Sequence, residues 1–356
     1  MDKVAKCLCA NSFITNRLHT RDSTQMKPLR LSLSGAGFLG AWHLGVSEAL
    51  LRAGVLENGS LQVAGASAGA IVGAVIVAGV PLQQARLALS ALAMEARSQP
   101  LGIVTPGYSL VDGVLKHLDE HLPLDAHQRA SGRLHVALTS LRPGEVGALY
   151  HKCSFGSRDE LIHAVTSSSD IPGLTGCLTR ATTPCLAATA LPAPANVWQA
   201  LTCRLDVDGG LWDLFPDPWH GTCDVAFVSP FAGVGFAISP CPSKAPAPSD
   251  SGQEPPTPVI TGKSFAKGYA FAVACRALSA AWPAPRPMPT LKWKYKHGRS
   301  LELSPENLVR FRHALSPPSD ATLAVYEAEG FARCAEWMQV AGIHGQDGGG
   351  RESREA

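Results

Sequence analysis

Three short segments of the sequence carry residue types that acyl transfer uses. They are Gly65-Ala66-Ser67-Ala68-Gly69, Asp208-Gly209-Gly210 and Gly35-Ala36-Gly37-Phe38-Leu39-Gly40. The first offers a nucleophilic hydroxyl, the second a carboxylate base and the third a run of main-chain N–H donors. Together these are the parts that ester hydrolysis through an acyl-enzyme requires.

The segment around Ser67 matches the nucleophile elbow, a sharp turn from a strand into a helix that exposes a serine. This turn strains the backbone of the serine, so its neighbours must be small; Gly65 and Gly69 meet that need. The N-terminus of the following helix would favour negative charge on the serine oxygen. An ordinary tight turn in an alanine-rich fold is the alternative, and this motif alone does not exclude it.

The glycine-rich segment that begins at Gly35 has two interpretations. It matches a dinucleotide-binding fingerprint, but that site needs an acidic residue after the second strand, and Glu57 precedes that strand. The alternative is an oxyanion hole, because parallel strands that end side by side would bring this loop next to Ser67. We favour the oxyanion hole, with Gly40 as part of the supporting motif. The donors would be the N–H groups of Gly35, Ala36 and Gly37.

Asp208 is the candidate base that would activate Ser67. A free aspartate is a weak base, with a pKa of about 3.9, but partial burial would raise its pKa. Gly209 and Gly210 would let the carboxylate approach the elbow closely, although an ordinary Asp-Gly turn is the alternative.

A histidine could complete a triad instead, because four histidines follow the acid in the chain: His220, His297, His313 and His344. None has a distinctive setting, and only one strand lies between the glycine-rich loop and the elbow, so a dyad fits better. His43 is interpreted as a surface or packed histidine. We expect no metal site, since His151-Lys152-Cys153 is isolated and no cluster of histidines or cysteines has the spacing of metal ligands.

The composition describes a chain with one large domain and appendages. Its 356 residues are 46% hydrophobic, its net charge is +2 and its pI is about 8.0, which argues against a dedicated nucleic-acid binder. The ten cysteines are too sparse for a disulfide scaffold and indicate free thiols in a reducing compartment.

Hydrophobic periodicity predicts alternating strands and helices through the first two thirds of the chain. That order implies a mainly parallel sheet covered by helices on both faces. The almost wholly apolar stretch 61–80 is interpreted as a strand, a turn and a buried helix rather than a membrane span. The predicted strands are 29–34, 61–66, 134–138, one ending near 151, one ending at 207 and 225–228. The predicted helices are 38–53, 68–78, 81–96, 109–122, one after the Ser157/Glu160 capping box, 264–281, 305–315 and 320–340.

These patterns divide the chain into five predicted regions. They are a basic N-terminal extension (1–27), a catalytic domain (28–240), a Pro/Ser-rich linker (241–262), a helical C-terminal region (263–344) and a tail (345–356). We interpret residues 1–27 as a disordered extension, with an organelle-targeting segment as the alternative.

The three motifs in this order resemble the patatin-like phospholipases, and the run from Leu31 to Val80 is most similar to the animal-type branch that includes adipose triglyceride lipase and adiponutrin. The resemblance implies a three-layer α/β/α sandwich and a Ser67–Asp208 dyad without cofactor or metal. It also implies acylglycerol or phospholipid esters as substrates, and a cytoplasmic protein peripherally associated with a lipid droplet or membrane. A protein activator is compatible with the resemblance but is not identified by it.

Departures from the family pattern bear on this expectation. Leu39 stands where many members have an arginine, and Ala36 replaces a common glycine. The stretch 173–200 is longer than the usual approach to the Asp-Gly-Gly motif and could form a lid or a substrate wall. A catalytically weak protein that keeps the fold and binds lipid surfaces or partners is the alternative function.

The basic and aromatic segment from Lys292 to Arg299 has two interpretations of its own. Its alternating lysines and aromatic residues suit contact with an anionic lipid surface. The same alternation suits an exposed edge strand that lysines protect from pairing.

Overall fold

The computed structural model describes residues 29–56, 61–141, 148–171, 175, 205–211, 213–220, 225–240, 259–261, 291–294 and 299–343. Its helices are α1 (Gly40–Arg52), α2 (Ala68–Ala78), α3 (Leu82–Ser98), α4 (Leu110–His121), α5 (Ala126–Ala130), α6 (Arg158–Ser167), α7 (Pro305–Leu315) and α8 (Asp320–Ala341). Its strands are β1 (Arg30–Leu33), β2 (Gln62–Gly65), β3 (Leu134–Leu141), β4 (Ala148–Lys152), β5 (Leu205–Asp208), β6 (Val225–Val228), β7 (Gly233–Val234), β8 (Val259–Thr261), β9 (Leu291–Lys294) and β10 (Ser300–Leu303).

The main sheet has the order β4-β3-β2-β1-β6, with β5 also paired to β3. The strands β1, β2, β3 and β6 pair in parallel, and β4 and β5 run antiparallel to β3. Leu31 and Leu33 are buried on one face of β1, and Ser32 is fully buried on the other, as expected for a sheet that helices cover on both faces. The expected α/β fold with a mainly parallel central sheet is confirmed.

Helix α2 follows β2 directly and is buried along nearly its whole length. This burial explains why the stretch 61–80 is so apolar, as predicted. Within the described ranges, no helix is both long enough and apolar enough to cross a membrane.

Two strands meet end to end along β3. Gly65, at the end of β2, is aligned with Val136, and Asp208, at the end of β5, is aligned with Leu138, two positions further along. Since β2 is parallel to β3 and β5 is antiparallel to it, the carboxyl ends of β2 and β5 face each other. A strand advances about 3.3 Å per residue, so the segments that follow the two strands start close together.

The C-terminal helices pack against the elements that precede the elbow. Helix α8 crosses α1 at two glycines, where added side chains would collide with the backbone. A Cβ atom at Gly45 would lie 1.9 Å from the Glu327 oxygen, and one at Gly330 would lie 2.3 Å from the Trp42 oxygen. The helices predicted at 305–315 and 320–340 are confirmed, whereas the predicted helix 264–281 falls outside the described residues.

A second sheet with the order β7-β10-β9-β8 was not predicted. Strand β9 lies between β10 and β8, so the interpretation as an edge strand was wrong for residues 292–294, and residues 295–298 lie outside the described residues. Arg299 is 4% exposed. Its guanidinium stacks 3.7 Å from the centre of the Phe227 ring and lies 3.8 Å from the Asp217 carboxylate. Arg299 therefore belongs to the interior and is not available to a lipid surface.

Candidate active site

Ser67 occupies the turn between β2 and α2 with φ 53° and ψ −125°, in the left-handed half of backbone space. A non-glycine residue in such a conformation costs about 1–3 kcal/mol. The Ser67 carbonyl accepts hydrogen bonds from the Ala70 and Ile71 N–H groups at 2.8 and 3.1 Å, so the first turn of α2 holds this conformation. This geometry is the one that a nucleophile elbow requires.

The glycines on either side of Ser67 allow close backbone approach. A Cβ atom at Gly65 would lie 2.4 Å from the Gly69 carbonyl carbon, and one at Gly69 would lie 2.4 Å from the Leu33 oxygen. The elbow is therefore packed against the end of β1, where the glycine-rich loop begins. Gly40, at the start of α1, would make only ordinary contact with Ala68 if it carried a Cβ atom.

Asp208 lies opposite the elbow and is 3% exposed. Its Oδ1 atom accepts a hydrogen bond from the Gly210 N–H at 2.6 Å, and the Ser67 side chain is a second hydrogen-bond partner of the carboxylate. Burial is the largest cause that raises the pKa of Asp208 to about 7. The two hydrogen bonds oppose that rise, and the charge of Asp170 adds to it. A base whose pKa lies near neutral pH is suited to accept a proton from a serine.

Gly209 brings the Asp208 turn onto β3. A Cβ atom at this position would lie 2.4 Å from the Ala137 carbonyl, so a larger residue would push the turn away from the strand. Asp208 and the two glycines that follow it thus fit the gap between the ends of β2 and β5.

Ser168, just after α6, connects the elbow to β3. Its hydroxyl accepts a hydrogen bond from the Ser67 N–H at 3.0 Å and donates one to the Ala137 carbonyl at 2.7 Å. Sequence analysis missed this residue. The signal that was available is the polar run from Ser167 to Asp170, which follows directly on a helix with a buried apolar face.

Asp170 is the second carboxyl near the elbow, and sequence analysis missed it as well. It is 5% exposed, and its main-chain oxygen accepts a hydrogen bond from the Asp208 N–H at 3.0 Å. Burial raises the pKa of Asp170 to about 6. The elbow therefore has two buried carboxyls in its neighbourhood, whereas the sequence analysis proposed one.

The three predicted oxyanion donors differ in their surroundings. The Gly35 N–H already donates to the Leu214 carbonyl at 3.0 Å. The N–H groups of Ala36 and Gly37 have no protein acceptor among the described residues. Gly37 has φ +53°, and a Cβ atom there would lie 2.1 Å from the Ala314 oxygen, so the end of α7 supports this loop.

His43 lies beneath the glycine-rich loop and is fully buried. Its Nε2 atom is 2.9 Å from the Ser34 carbonyl, and burial lowers the pKa of His43 to about 4. The imidazole is therefore neutral at physiological pH and donates from Nε2 to the residue that precedes Gly35. It is a packed histidine, as expected, and it holds the loop in place.

Of the other histidines that were considered, the two that the structure describes, His220 and His313, make no hydrogen bond to Asp208. The Nδ1 atom of His313 is 2.8 Å from the Tyr326 hydroxyl, and His220 is exposed. His297 and His344 lie outside the described residues. The expectation that no cluster has ligand spacing was wrong for α4, where the ligand atoms of His117, Glu120 and His121 lie within 4.8 Å of one another. These residue types could hold Zn²⁺.

A family model for patatin-like phospholipases matches residues 31–216, and the chain belongs to this family. Three curated relatives illustrate the range of similarity. Patatin-like phospholipase domain-containing protein 2 of Rattus norvegicus is 34% identical over 204 residues, which are 57% of this chain and 38% of that protein. Patatin-like phospholipase domain-containing protein 4 of Homo sapiens is 36% identical over 149 residues, 41% of this chain and 58% of that protein. The human 1-acylglycerol-3-phosphate O-acyltransferase PNPLA3 is 35% identical over 149 residues, 42% of this chain and 30% of that protein.

The chain thus spans less than two thirds of the length of these curated relatives. Among solved structures, VipD from Legionella pneumophila aligns with 90% of this chain and 68% of its own, with a TM-score of 0.33 and 12% identity. That similarity is too low to bear on the fold.

Proposed function

We propose that this protein is a serine lipid acyl hydrolase that cleaves carboxylic esters of acylglycerols or phospholipids through an acyl-enzyme on Ser67. One observation supports this most strongly. Ser67, in a strained turn, is a hydrogen-bond partner of Asp208, a buried carboxylate whose pKa is raised to about 7. A strained serine and a buried carboxylate each cost free energy, so their combination is not expected in a turn that serves only to connect a strand to a helix.

The first half of the reaction acylates Ser67. Asp208 takes the hydroxyl proton of Ser67 as Oγ attacks the ester carbonyl. The carbonyl oxygen of the ester becomes an oxyanion, which the N–H groups of Ala36 and Gly37 stabilise. The tetrahedral intermediate collapses, the bond to the alcohol breaks, and Asp208 returns its proton to the leaving alkoxide.

The second half releases the fatty acid. A water molecule gives a proton to Asp208 and attacks the acyl carbonyl, and a second oxyanion forms at the same donors. The bond to Ser67 Oγ then breaks, and the proton on Asp208 restores the serine hydroxyl. The steps balance without a redox partner or a metal ion, so we expect a chelator to leave the rate unchanged.

Of the three oxyanion donors predicted from the sequence, we propose that two, Ala36 and Gly37, act in the reaction. Ala36 and Gly37 have N–H groups without a protein acceptor in the described part of the chain, whereas the Gly35 N–H binds Leu214. Gly35 therefore acts by fixing the loop, and a Cβ atom there would lie 2.8 Å from the Leu214 side chain.

Lipid substrates imply a lipid interface. We propose a cytoplasmic protein that associates peripherally with a lipid droplet or membrane, in keeping with relatives named as phospholipase-domain proteins. The proposal includes no nucleic-acid partner and no cofactor, and it leaves open a protein activator. For residues 1–27 we keep the proposal of a disordered extension, with organelle targeting as the alternative, and for residues 173–200 that of a lid or a substrate wall.

Acyl transfer is a second candidate, favoured by one observation: a relative that is 35% identical is named as a 1-acylglycerol-3-phosphate O-acyltransferase. The acyl-enzyme on Ser67 would then pass its acyl group to an alcohol acceptor instead of water. The first half-reaction and the two catalytic residues would be the same. The two candidates differ only in what attacks the acyl-enzyme.

A substrate panel distinguishes these outcomes. Purified protein is incubated with triacylglycerol, diacylglycerol, phospholipid and retinyl ester, with and without 1-acylglycerol-3-phosphate as acceptor. Free fatty acid as the main product supports hydrolysis, and a diacylated phosphate product supports transfer. Ser67→Ala is the inactive control. Ser169→Ala is the matched control that should remain active, because among the described residues the Ser169 hydroxyl donates only to the Val165 carbonyl, at 3.3 Å. No product from any ester would favour the catalytically weak binding protein.

A further inference from the structure

Asp170 lies where the chain leaves α6 and crosses the end of β5. Its main-chain oxygen accepts a hydrogen bond from the Asp208 N–H at 3.0 Å, which ties the backbones of the two aspartates together. Nearby, the Thr175 hydroxyl accepts from the Ile171 N–H at 2.8 Å and donates to the Ser169 carbonyl at 2.8 Å. These bonds fix the backbone on both sides of Asp170.

Among the described residues, the Oδ1 atom of Asp170 has no hydrogen-bond partner, although Asp170 is only 5% exposed. The Oδ1 atom of the buried Asp217 also lacks a hydrogen bond in the described part of the chain, but Asp213 and Asp217 each have a partner group close by. Asp213 accepts from the Phe215 N–H at 3.1 Å, and Asp217 lies 3.8 Å from Arg299. A buried carboxylate without partners costs several kcal/mol, and a neutral residue at this position would avoid that cost. No hydrogen bond to the Asp170 Oδ1 atom from the described residues offsets this cost.

We propose that Asp170 is a positioning residue for Asp208, whose main chain fixes the Asp208 backbone and whose carboxylate makes Asp208 a stronger base. This inference rests on the proposed function of Asp208 as the base for Ser67. It adds a residue that the family motifs of this sequence do not contain.

The effect follows from the charges of the two groups. The pKa of Asp170 is raised to about 6 and that of Asp208 to about 7, both mainly by burial. Asp170 therefore ionises over a pH range that overlaps the range in which Asp208 titrates. Its negative charge disfavours a second negative charge on Asp208, so Asp208 holds the proton from Ser67 more firmly.

Other charged groups near this site are engaged elsewhere. Asp206, on the same strand, accepts a hydrogen bond from the Tyr150 hydroxyl at 2.7 Å. His163, on α6, contacts the Ser167 hydroxyl at 3.4 Å, and Arg299 pairs with Asp217. Among the described residues, Asp170 is the charged group that raises the pKa of Asp208.

The test is the pH profile of kcat/KM for a soluble ester, measured on the full chain carrying Asp170→Asn. We expect the acid midpoint to move to lower pH by roughly half a unit or more, since removing a like charge lowers the pKa of its neighbour. We also expect the plateau rate to fall by roughly 3- to 30-fold, because a weaker base accepts the serine proton less readily. Asp206→Asn is the matched control and should keep the wild-type midpoint.

Asp170→Ala is a second variant, because an asparagine amide at a site without partners could itself prevent folding. Thermal unfolding of each variant shows whether the measured kcat/KM was obtained on folded protein. A midpoint that stays within about 0.2 pH units of wild type in the folded variants would overturn the inference, whatever the loss of rate. If Asp208→Asn retained wild-type activity, the proposed function would fail instead, and the two failures are thereby distinguished.

Discussion

The main-chain N–H of Ser67 donates a hydrogen bond to the side-chain oxygen of Ser168 at 3.0 Å, across 101 positions of sequence. The Ser168 hydroxyl in turn donates to the Ala137 carbonyl at 2.7 Å, in the part of β3 that lies between the ends of β2 and β5. The strained elbow is thereby tied to the strand on which Asp208 also rests. Ser168 links Ser67, the proposed nucleophile, to β3, which pairs with β5 at Asp208, its proposed base.

Replacing Ser168 by alanine should therefore lower kcat/KM by roughly tenfold or more, since small misplacement of a nucleophile is costly. The free energy of unfolding should fall by about 1–3 kcal/mol, because the Ser67 N–H and the Ala137 carbonyl lose a buried partner. Ester hydrolysis and urea unfolding measure the two effects. Ser169→Ala is the control, and equal activity of the two variants would show that Ser168 does not position the elbow.

Asp208→Asn should be inactive but more stable than wild type at neutral pH. The pKa of Asp208 is raised from the ordinary 3.8 to about 7 in the folded protein. The stability that the bound proton contributes is thus complete below about pH 4 and is lost as the pH rises through 7. At about pH 8 the asparagine variant should gain roughly 2–4 kcal/mol of unfolding free energy relative to wild type.

Urea unfolding at several pH values checks this gain. The difference between the two proteins should shrink as the pH falls and disappear in acid. A constant difference across the range, or none at about pH 8, would mean that the folded protein does not hold an unfavourable charge at Asp208.

Ser67→Gly should abolish hydrolysis and stabilise the fold. Glycine adopts φ 53° without strain, so the free energy of unfolding should rise by about 1 kcal/mol. Ser67→Ala removes the same hydroxyl but keeps the strained Cβ atom, and it should not show this gain. Thermal denaturation compares the two variants, and equal stability would indicate that the turn is not strained.

Gly330→Ala should separate α8 from α1. The new methyl group would lie 2.3 Å from the Trp42 oxygen, which cannot move without displacing the helix that follows the glycine-rich loop. We expect a loss of more than about 3 kcal/mol in unfolding free energy together with a loss of activity. Gly54→Ala is the control, because a Cβ atom at Gly54 would meet no atom of the described residues within 4 Å and would only strain the positive φ of that position. A well-folded, active Gly330→Ala protein would contradict the observed helix packing.

The sequence predicted most of the regular elements because their patterns are local. The apolar run 68–78 and the capping serine at position 157 each carry their signal within a few residues, and both are confirmed. Family motifs also identified Ser67 and Asp208 as the candidate pair. The proximity of Ser67 to Asp208 could be expected because each lies at the end of a strand with glycines beside it.

The missed features depend on contacts between distant parts of the chain. Ser168 and Asp170 belong to an unremarkable polar run, and only the pairing of β3 with β2 and β5 brings that run to the elbow. The second sheet was missed because its described strands have two to four residues, too few for a clear alternation. Arg299 was interpreted as a surface charge because the burial of a single arginine beside Phe227 has no local pattern.

The central claim is that Ser67 is a nucleophile activated by Asp208, and covalent labelling tests it most directly. Purified wild-type protein is treated with a fluorophosphonate, and the modified residue is located by mass spectrometry of peptides. We expect a single adduct on Ser67, no adduct in Ser67→Ala, and slow labelling in the folded Asp208→Asn variant, because the amide cannot accept the serine proton. Labelling of another serine, or an unchanged labelling rate in Asp208→Asn, would contradict the account.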